Sequence, residues 1–175
     1  RHITRVGISA GSPDWTFYDA LEVAVDEFGE REICSTAVLD VLAPRYLQKH
    51  PQHAAVDMRG RHSDKIVCST ELAEGEYGRI LTDAFETLAA STRADSLAVT
   101  NLHFGWHCFC RRCLVRFHGY AWRSEWPRLP NGAIDLLNPV IGKWRSAQVA
   151  GVVSRLSSVA RAHDKRMLFE AKLSH

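Results

Sequence analysis

Residues 96–113 read SLAVTNLHFGWHCFCRRC, and this stretch joins two different kinds of sequence. Residues 96–100 form a short run of small and branched side chains that predicts a β-strand. Beyond Asn101, the residues Cys108, Cys110 and Cys113 place three of the chain's five cysteines within six positions. A strand that runs directly into a loop rich in polar and metal-ligating residues is typical of parallel α/β sheets, whose functional groups gather at the carboxyl ends of the strands.

Predicted strands and helices alternate along the chain on both sides of this stretch. Apolar periodicity predicts further strands at residues 3–9, 33–39 and 166–170 and helices at residues 17–28, 77–91 and 144–163. Residues 52–76 show no long periodic segment and are expected to form a loop. Strand and helix in alternation predict parallel strands joined by right-handed crossovers. We therefore expect an α/β fold with parallel strands alternating with helices, in a single barrel-type domain or barrel fragment over residues 1–175.

Composition limits the partners of the chain. Of its 175 residues, 46% are apolar and 24% are charged, and the net charge is only +2. This balance suits one domain with a hydrophobic core and argues against a nucleic-acid or membrane partner. An odd number of clustered cysteines favours a reducing, cytoplasmic setting. Because the chain begins at Arg1, a processed N-terminus or a fragment is expected, and secretion is not excluded.

The cysteine cluster indicates a metal site. A Cys-x-Cys-x-x-Cys turn is short enough for three thiolates to converge on one tetrahedral ion, and zinc is the default choice for soft sulfur ligands. An iron–sulfur cluster fits this spacing less well. The remaining ligand must come from elsewhere in the chain. The residues available for that position are Cys68, Cys34, His107 and His118.

Candidate residues also follow the predicted strands. Asp40 and Glu170 each end a strand, and Asn101 ends the strand before the cysteines. His103, Trp106 and His107 come directly after Asn101. Aromatic rings suit the faces of sugars, and histidines serve as acids or metal ligands.

The strand and cysteine stretch of residues 96–113 resembles a known family. Residues 97–101, then Cys108-Phe109-Cys110-Arg111-Arg112-Cys113, closed by Phe117, are similar to the fourth-strand region of glycoside hydrolase family 42 β-galactosidases and their uncharacterised glycosyl hydrolase-like relatives. Upstream, residues 44–51 and 56–61, followed by Cys68, resemble the loop after the third strand of that family. The resemblance implies a (β/α)8 barrel, of which this chain covers about the second to fifth strands. The expected architecture is thus a partial or truncated TIM barrel.

The resemblance also implies a ligand set and an activity. Family members with a zinc site use one cysteine of the upstream loop with the three of the cluster, which implies structural zinc at Cys68, Cys108, Cys110 and Cys113. Retaining glycosidases need two carboxyl groups about 5 Å apart. The family places its acid/base glutamate directly after the strand-ending asparagine, but here Leu102 follows Asn101. The family's nucleophile belongs to a seventh strand, which lies beyond the second to fifth strands that the resemblance covers.

Three functions follow from these observations. The first is a carbohydrate-active, glycoside-hydrolase-like domain of the retaining β-galactosidase type, with degenerate catalysis or with Glu170 and Asp40 as displaced catalytic carboxylates. Its sugar-binding residues would be Asn101, His103, Trp106 and His107. An incomplete barrel exposes sheet edges, so a homo-oligomer or a larger parent chain is expected.

The second possible function is that of a non-enzymatic zinc-stabilised binding domain that uses the arginines around the cysteines. The third, a redox protein, needs its Cys-x-x-Cys at the start of a helix after a first strand, and Cys110 and Cys113 do not have that setting.

Overall fold

The computed structural model describes residues 5–13, 15–102 and 108–168. Within them, the chain divides into two compact units. The first takes its described residues from segments 1–41, 80–102 and 154–175, and the second from segments 42–79 and 103–153.

A five-stranded sheet is the centre of the first unit. Its strands, in spatial order, are β2 (Trp15–Thr16), β1 (Arg5–Ser12), β3 (Cys34–Asp40), β6 (Ser96–Thr100) and β7 (Arg166–Leu168). The strands β1, β3, β6 and β7 are parallel, and only β2 runs antiparallel to its neighbour. The predicted mixed α/β fold with a parallel sheet is therefore confirmed.

Strands β3 and β6, two of the three inner strands of the sheet, are largely buried. Ala37 and Leu39 of β3 and Leu97 of β6 have no exposed surface. Such continuous burial is usual for strands of parallel sheets and explains why these segments show no polar alternation. Cys34 lies at the start of β3 as a half-buried free cysteine.

Helices complete the core of the first unit. Helix α1 (Tyr18–Gly29) packs on β1 and β3 and buries Leu21 and Val25. Helix α4 (Glu76–Ser91) contributes Phe85 and Leu88 to the core. These buried positions follow the 3.6-residue period that predicted both helices from the sequence.

The second unit contains the elements that precede the cysteines. They are α2 (Pro44–Lys49), a 3₁₀ helix (Pro51–His53), β4 (Ala54–Val56), β5 (His62–Val67) and α3 (Ser69–Glu74). The expected loop over residues 52–76 is therefore wrong: β4 and β5 form a two-stranded antiparallel hairpin. The hairpin escaped detection because half of β5 is polar and exposed, so no apolar period marks it. Its turn is closed by Asp57, whose carboxylate accepts the N–H groups of Arg59 and Arg61, and by Gly60 at φ 78°.

Two helices follow the cysteine stretch. Helix α5 (Arg111–Ala121) starts at Cys110 as N-cap and ends at Trp122, which adopts the left-handed conformation with φ 55°. The sequence patterns predict a turn at the cysteines and no helix after them, so helix α5 is a finding of the structure. Helix α6 (Pro139–Ala162) begins five residues before its predicted start at 144. Of the helices in the described segments, none has both the length and the apolar character that crossing a bilayer requires.

The core of the second unit is aromatic. Phe117 of α5 stacks on Trp126 with ring centroids 4.6 Å apart, and Trp126 lies 5.6 Å from Trp144 of α6. Cys68, Cys108 and Cys113 belong to this same buried cluster. The cysteines are thus set into a hydrophobic core rather than on the surface.

Candidate functional site

Four cysteine sulfurs converge in the second unit. The Sγ atoms of Cys68, Cys108, Cys110 and Cys113 all lie within 4.8 Å of one another. The Sγ of Cys68 is 3.4 Å from that of Cys113 and 3.6 Å from that of Cys110. All four are free thiols, and three of them are buried.

These distances match the donor set of a tetrahedral metal site. A disulfide requires sulfurs about 2.05 Å apart, which is far shorter than the separations here. Zinc–sulfur bonds near 2.3 Å in a tetrahedron place neighbouring sulfurs about 3.8 Å apart. The observed separations of 3.4 and 3.6 Å are close to that value. The buried cluster could therefore bind a metal ion. Among the described residues, neither Cys34 nor His118 belongs to the converging group.

The local fold explains how the four residues meet. Cys68 joins the end of β5 to α3 as the N-cap of that helix. Cys110 is the N-cap of α5, and Cys113 lies in its first turn. Cys108 is linked to the hairpin, since the N–H of Val56 donates to its Sγ at 3.4 Å. Cys68 is distant in sequence from the three other cysteines. The β4–β5 hairpin and the packing of α3 against α5 bring them together in space.

Polar groups surround the sulfurs. The N–H of Cys113 donates to Sγ of Cys110 at 3.5 Å. The hydroxyls of Ser69 and Thr70 lie 3.2 and 3.3 Å from Sγ of Cys113. Donors of this kind stabilise thiolates and orient metal ligands.

The four thiols influence one another strongly. Hydrogen bonds among them lower the pKa of Cys110 to about 7 and lower the pKa of Cys113 further. The same contacts, with burial, raise the pKa values of Cys68 and Cys108. Four thiolates this close cannot all ionise without a cation to offset their repulsion. The donor set thus has the chemistry that a divalent thiophilic ion would complete.

A buried carboxylate connects the helices that carry the cysteines. Glu71 of α3 is only 1% exposed. Its Oε1 accepts the N–H of Tyr77 at 3.1 Å, and its Oε2 pairs with Nη1 of Arg112 at 2.7 Å. Burial alone would raise the pKa of Glu71, but the N–H of Tyr77, Arg112 and His53 together lower it. The ion pair joins α3 to α5, and a second pair between Glu74 and Arg116 joins the same two helices.

The carboxyl edge of the sheet in the first unit carries two of the predicted residues. Asp40 ends β3, and Asn101 follows β6 in the left-handed conformation with φ 56°. The side-chain amide of Asn101 donates to Oδ1 of Asp40 at 2.9 Å. Asparagine tolerates this backbone conformation better than most residues. The structure therefore brings Asp40 and Asn101 together.

Other predicted residues lie outside the described residues. They are His103, Trp106, His107 and Glu170. Leu102, which follows Asn101, is a buried apolar residue. The sequence reading missed Glu71 and the aromatic and imidazole side chains near it. The only available signal was the density of histidine and carboxylate in residues 50–76.

Comparison with known proteins gives a fold relationship. No protein-family model matches the sequence of this chain, and no curated protein matches it. Four solved chains match it in structure. One is α-L-fucosidase isoenzyme 2 from Paenibacillus thiaminolyticus, with a TM-score of 0.65 and 14% identity over 91% of this chain. Another is the cold-adapted β-galactosidase from Rahnella sp. R3, with a TM-score of 0.64 and 16% identity over 92% of this chain.

The fold of this chain is therefore similar to that of glycoside hydrolases. The chain covers only 25% of the fucosidase and 30% of the β-galactosidase. At such identities the likeness establishes a shared fold with glycoside hydrolases and does not single out one family among them.

Proposed function

We propose that this chain is a carbohydrate-active domain of the glycoside hydrolase type, built as part of a (β/α)8 barrel of the family 42 kind. The observation that carries the proposal is the structural match of 91% and 92% of the chain to two glycosidases. In this proposal β1, β3, β6 and β7 correspond to the second to fifth strands of the barrel, and residues 1–175 form one domain or barrel fragment. Such a part would associate as a homo-oligomer or belong to a larger chain, since edge strands offer unpaired backbone groups.

The second part of the proposal is a structural zinc ion held by Cys68, Cys108, Cys110 and Cys113. The sulfur separations and the burial of the cluster support it. A closed four-sulfur site has no position for a substrate, so this ion would stabilise the fold rather than take part in chemistry. It would hold α3, α5 and the β4–β5 hairpin together.

The third part concerns the sugar site at the carboxyl edge of the sheet. Asp40 and Glu170 are proposed as displaced carboxylates, and Asn101, His103, Trp106 and His107 as residues that contact the sugar. The hydrogen bond between Asn101 and Asp40 supports a polar site at this edge. Because Leu102 offers no proton donor, the alternative within this proposal is a degenerate hydrolase that binds carbohydrate without cleaving it.

The non-enzymatic alternative, a zinc-stabilised module that holds a partner through its arginines, has less support. Arg112 and Arg116 are already ion-paired with Glu71 and Glu74 within the fold. Arg111 and Arg123 are exposed, and they are the arginines that this alternative would use.

Metal content tests the zinc site. Elemental analysis of the purified chain should give one zinc per chain, and Cys68→Ala should lose it. The matched control is Cys34→Ala, which removes a thiol that lies outside the cluster and should leave zinc content unchanged. A chain that holds no zinc, or that keeps it in Cys68→Ala, would overturn this part of the proposal.

A substrate assay tests the sugar site. Hydrolysis of aryl β-galactosides that is lost in Asp40→Ala or Glu170→Ala would support displaced catalytic carboxylates. Asp83→Ala on the exposed face of α4 is the control. Binding of galactosides without turnover would support the degenerate form, whereas absence of both binding and turnover would contradict a carbohydrate function.

A further inference from the structure

A second group of metal-ligating side chains lies in the second unit. His50, His53 and Glu76 place one ligand atom each within 4.8 Å of one another. We call them the His–His–Glu cluster. None of them is a cysteine, and none takes part in the proposed zinc or sugar sites. The two histidines are half-buried and Glu76 is exposed, so the group is supported by the fold on one side and open to solvent on the other.

The backbone holds the two histidines in one tight turn. His50 ends α2, where its N–H donates to the carbonyl of Tyr46 at 2.9 Å. The N–H of His53 donates to the carbonyl of His50 at 2.9 Å within the 3₁₀ helix Pro51–His53. His50 is the N-cap of this 3₁₀ helix and His53 is its last residue, so the two residues are separated by a single tight turn and their imidazoles lie side by side.

Aromatic packing orders the rings. Tyr46, which is 6% exposed, stacks on His50 with ring centroids 4.5 Å apart. The rings of His50 and His53 are 5.6 Å apart and nearly parallel, at an interplanar angle of 9°. The imidazoles are thus positioned before any ion arrives, which lowers the entropic cost of binding.

One nitrogen of His53 already has oxygen partners. Its Nδ1 lies 2.6 Å from Oη of Tyr46 and 3.7 Å from Oε1 of Glu71. A carboxylate can only accept, so these partners favour a proton on Nδ1 and leave the lone pair on Nε2. The hydroxyl of Tyr46 can then donate to Oε2 of Glu76, which is 3.5 Å away. An imidazole whose second nitrogen is fixed by a carboxylate or hydroxyl is the usual arrangement for a metal-bound histidine.

From these contacts we propose that His50, His53 and Glu76 form a binding site for a borderline divalent transition ion such as Zn²⁺ or Co²⁺. Two imidazoles and one glutamate are a recognised ligand set for zinc sites with an open coordination position. Imidazole nitrogens disfavour Mg²⁺ and Ca²⁺, which prefer oxygen ligands. Neighbouring ligand atoms of a tetrahedral ion lie about 3.3 Å apart. The ligand atoms of the His–His–Glu cluster are separated by up to 4.8 Å, so they would move closer together when an ion binds. The exposed side chain of Glu76 is free of core packing and can supply most of that movement.

The probe for this site is Co²⁺, whose absorption separates the two ligand types. Titration of the native chain should show two Co²⁺ per chain, one with a thiolate-to-cobalt charge-transfer band and one without it. His53→Ala and Glu76→Gln should each weaken the thiolate-free site by about tenfold or more. Glu76 is exposed, so its variant keeps the fold even if that of His53 does not.

Controls separate this site from the cysteine cluster. His62→Ala changes an exposed histidine of β5 and should leave both sites intact. Cys68→Ala should remove the thiolate band and leave the second site intact, so the two proposals fail independently. Tyr46→Phe keeps the ring stack but removes the hydroxyl, and should weaken Co²⁺ binding by roughly tenfold through positioning of His53. A thiolate-free site that is missing from the native chain, or that is unaffected by both His53→Ala and Glu76→Gln, would overturn the proposal.

Discussion

At the scale of single residues, Glu71 shows how one buried group can hold several elements in place. Its carboxylate receives the N–H of Tyr77 and the guanidinium of Arg112, and it lies beside His53. A buried carboxylate is tolerated only when its charge is met by such partners. The residue therefore links α3, α5, the 3₁₀ helix and the start of α4, and anything that displaces it disturbs all of them.

Gly75 is the position that allows Glu71 to fit. A Cβ at residue 75 would lie 2.2 Å from Cδ of Glu71, which is far too close. Gly75→Ala should therefore displace the carboxylate and lower the free energy of unfolding by about 1–3 kcal/mol. Gly119→Ala on α5, where a Cβ meets nothing within 4 Å, is the control and should raise stability by up to about 1 kcal/mol because glycine is a poor helix former. Urea denaturation of both variants measures the difference, and equal effects would contradict the steric argument.

Arg145 of α6 represents the opposite situation, a buried charge for which the described residues provide no hydrogen-bonded anion. It is 8% exposed, and within the described part of the chain neither Nη1 nor Nη2 has a hydrogen-bond partner. Burial lowers its pKa to about 10. Its guanidinium lies 5.1 Å from the centre of the Phe109 ring, which offsets only part of the desolvation cost.

Arg145→Met keeps the packing on Phe109 and removes the buried charge. We expect the free energy of unfolding to rise by about 1–2 kcal/mol, as for other buried charges replaced by apolar residues. Arg123→Met, at an exposed site, should change it by less than about 0.5 kcal/mol. Thermal and urea unfolding provide the measurement. A loss of stability in Arg145→Met would indicate that the guanidinium has an anionic partner.

At the scale of secondary structure, the first unit is held together by links between elements distant in sequence. Glu22 of α1 accepts hydrogen bonds from the hydroxyl of Thr92 at 2.7 Å and from Nε of Arg93 at 3.0 Å. Thr92 and Arg93 both lie in the connection between α4 and β6. The contact joins α1 to that connection, although the residues involved are 70 positions apart in the sequence.

This contact predicts a pH dependence. Burial opposes ionisation of Glu22, but the hydrogen bonds from Thr92 and Arg93 outweigh it and lower the pKa of Glu22. A lowered pKa in the folded state means that the stabilisation is complete above the unfolded pKa, near 4.3, and is lost as the pH falls through the folded value. Glu22→Gln should therefore reduce the loss of stability between pH 6 and pH 3, by less than about 1 kcal/mol because the pair is partly exposed.

The control for this prediction is Glu27→Gln. Glu27 pairs with Arg31 on the solvent side of the same helix. An exposed pair of this kind contributes little, so the pH dependence of unfolding should remain that of the native chain. If the two variants behave alike, the contact of Glu22 does not stabilise the fold.

At the scale of the whole molecule, the two units depend on different forces. The first is organised by a parallel sheet with apolar inner strands, whereas the second has short elements around an aromatic core and the four cysteines. The cysteine cluster lies among these short elements, so one ion bound there would hold several of them together.

Zinc should therefore change the stability of the chain as a whole. An ion that binds only the folded state at 100 times its dissociation constant adds about 2.7 kcal/mol. Removing zinc with a chelator should lower the urea midpoint, and adding zinc should restore it. Because the thiols must lose protons to bind the ion, the zinc-dependent part of the stability should decrease from pH 8 to pH 6. A midpoint that is the same with chelator and with zinc would contradict a stabilising metal site.

The sequence by itself determined the alternating α/β fold, because buried parallel strands and amphipathic helices have periods that are visible locally. Strand β6 was predicted with its observed limits, Ser96–Thr100. Local patterns could not reveal the β4–β5 hairpin, since β5 is short and polar, nor helix α5, whose N-cap and first turn contain Cys110 and Cys113. The cysteine spacing indicated a metal site, and only a family resemblance pointed to Cys68.

The tertiary structure alone decided which side chains meet. The approach of Cys68 to Cys110 and Cys113 spans more than 40 residues of sequence. The hydrogen bond from Asn101 to Asp40 spans 61, and the His–His–Glu cluster joins α2 to the start of α4. Such contacts depend on how elements pack in three dimensions, and no periodicity along the chain encodes them. That is why the elements of the fold were largely predictable, whereas the partners within each candidate site were not.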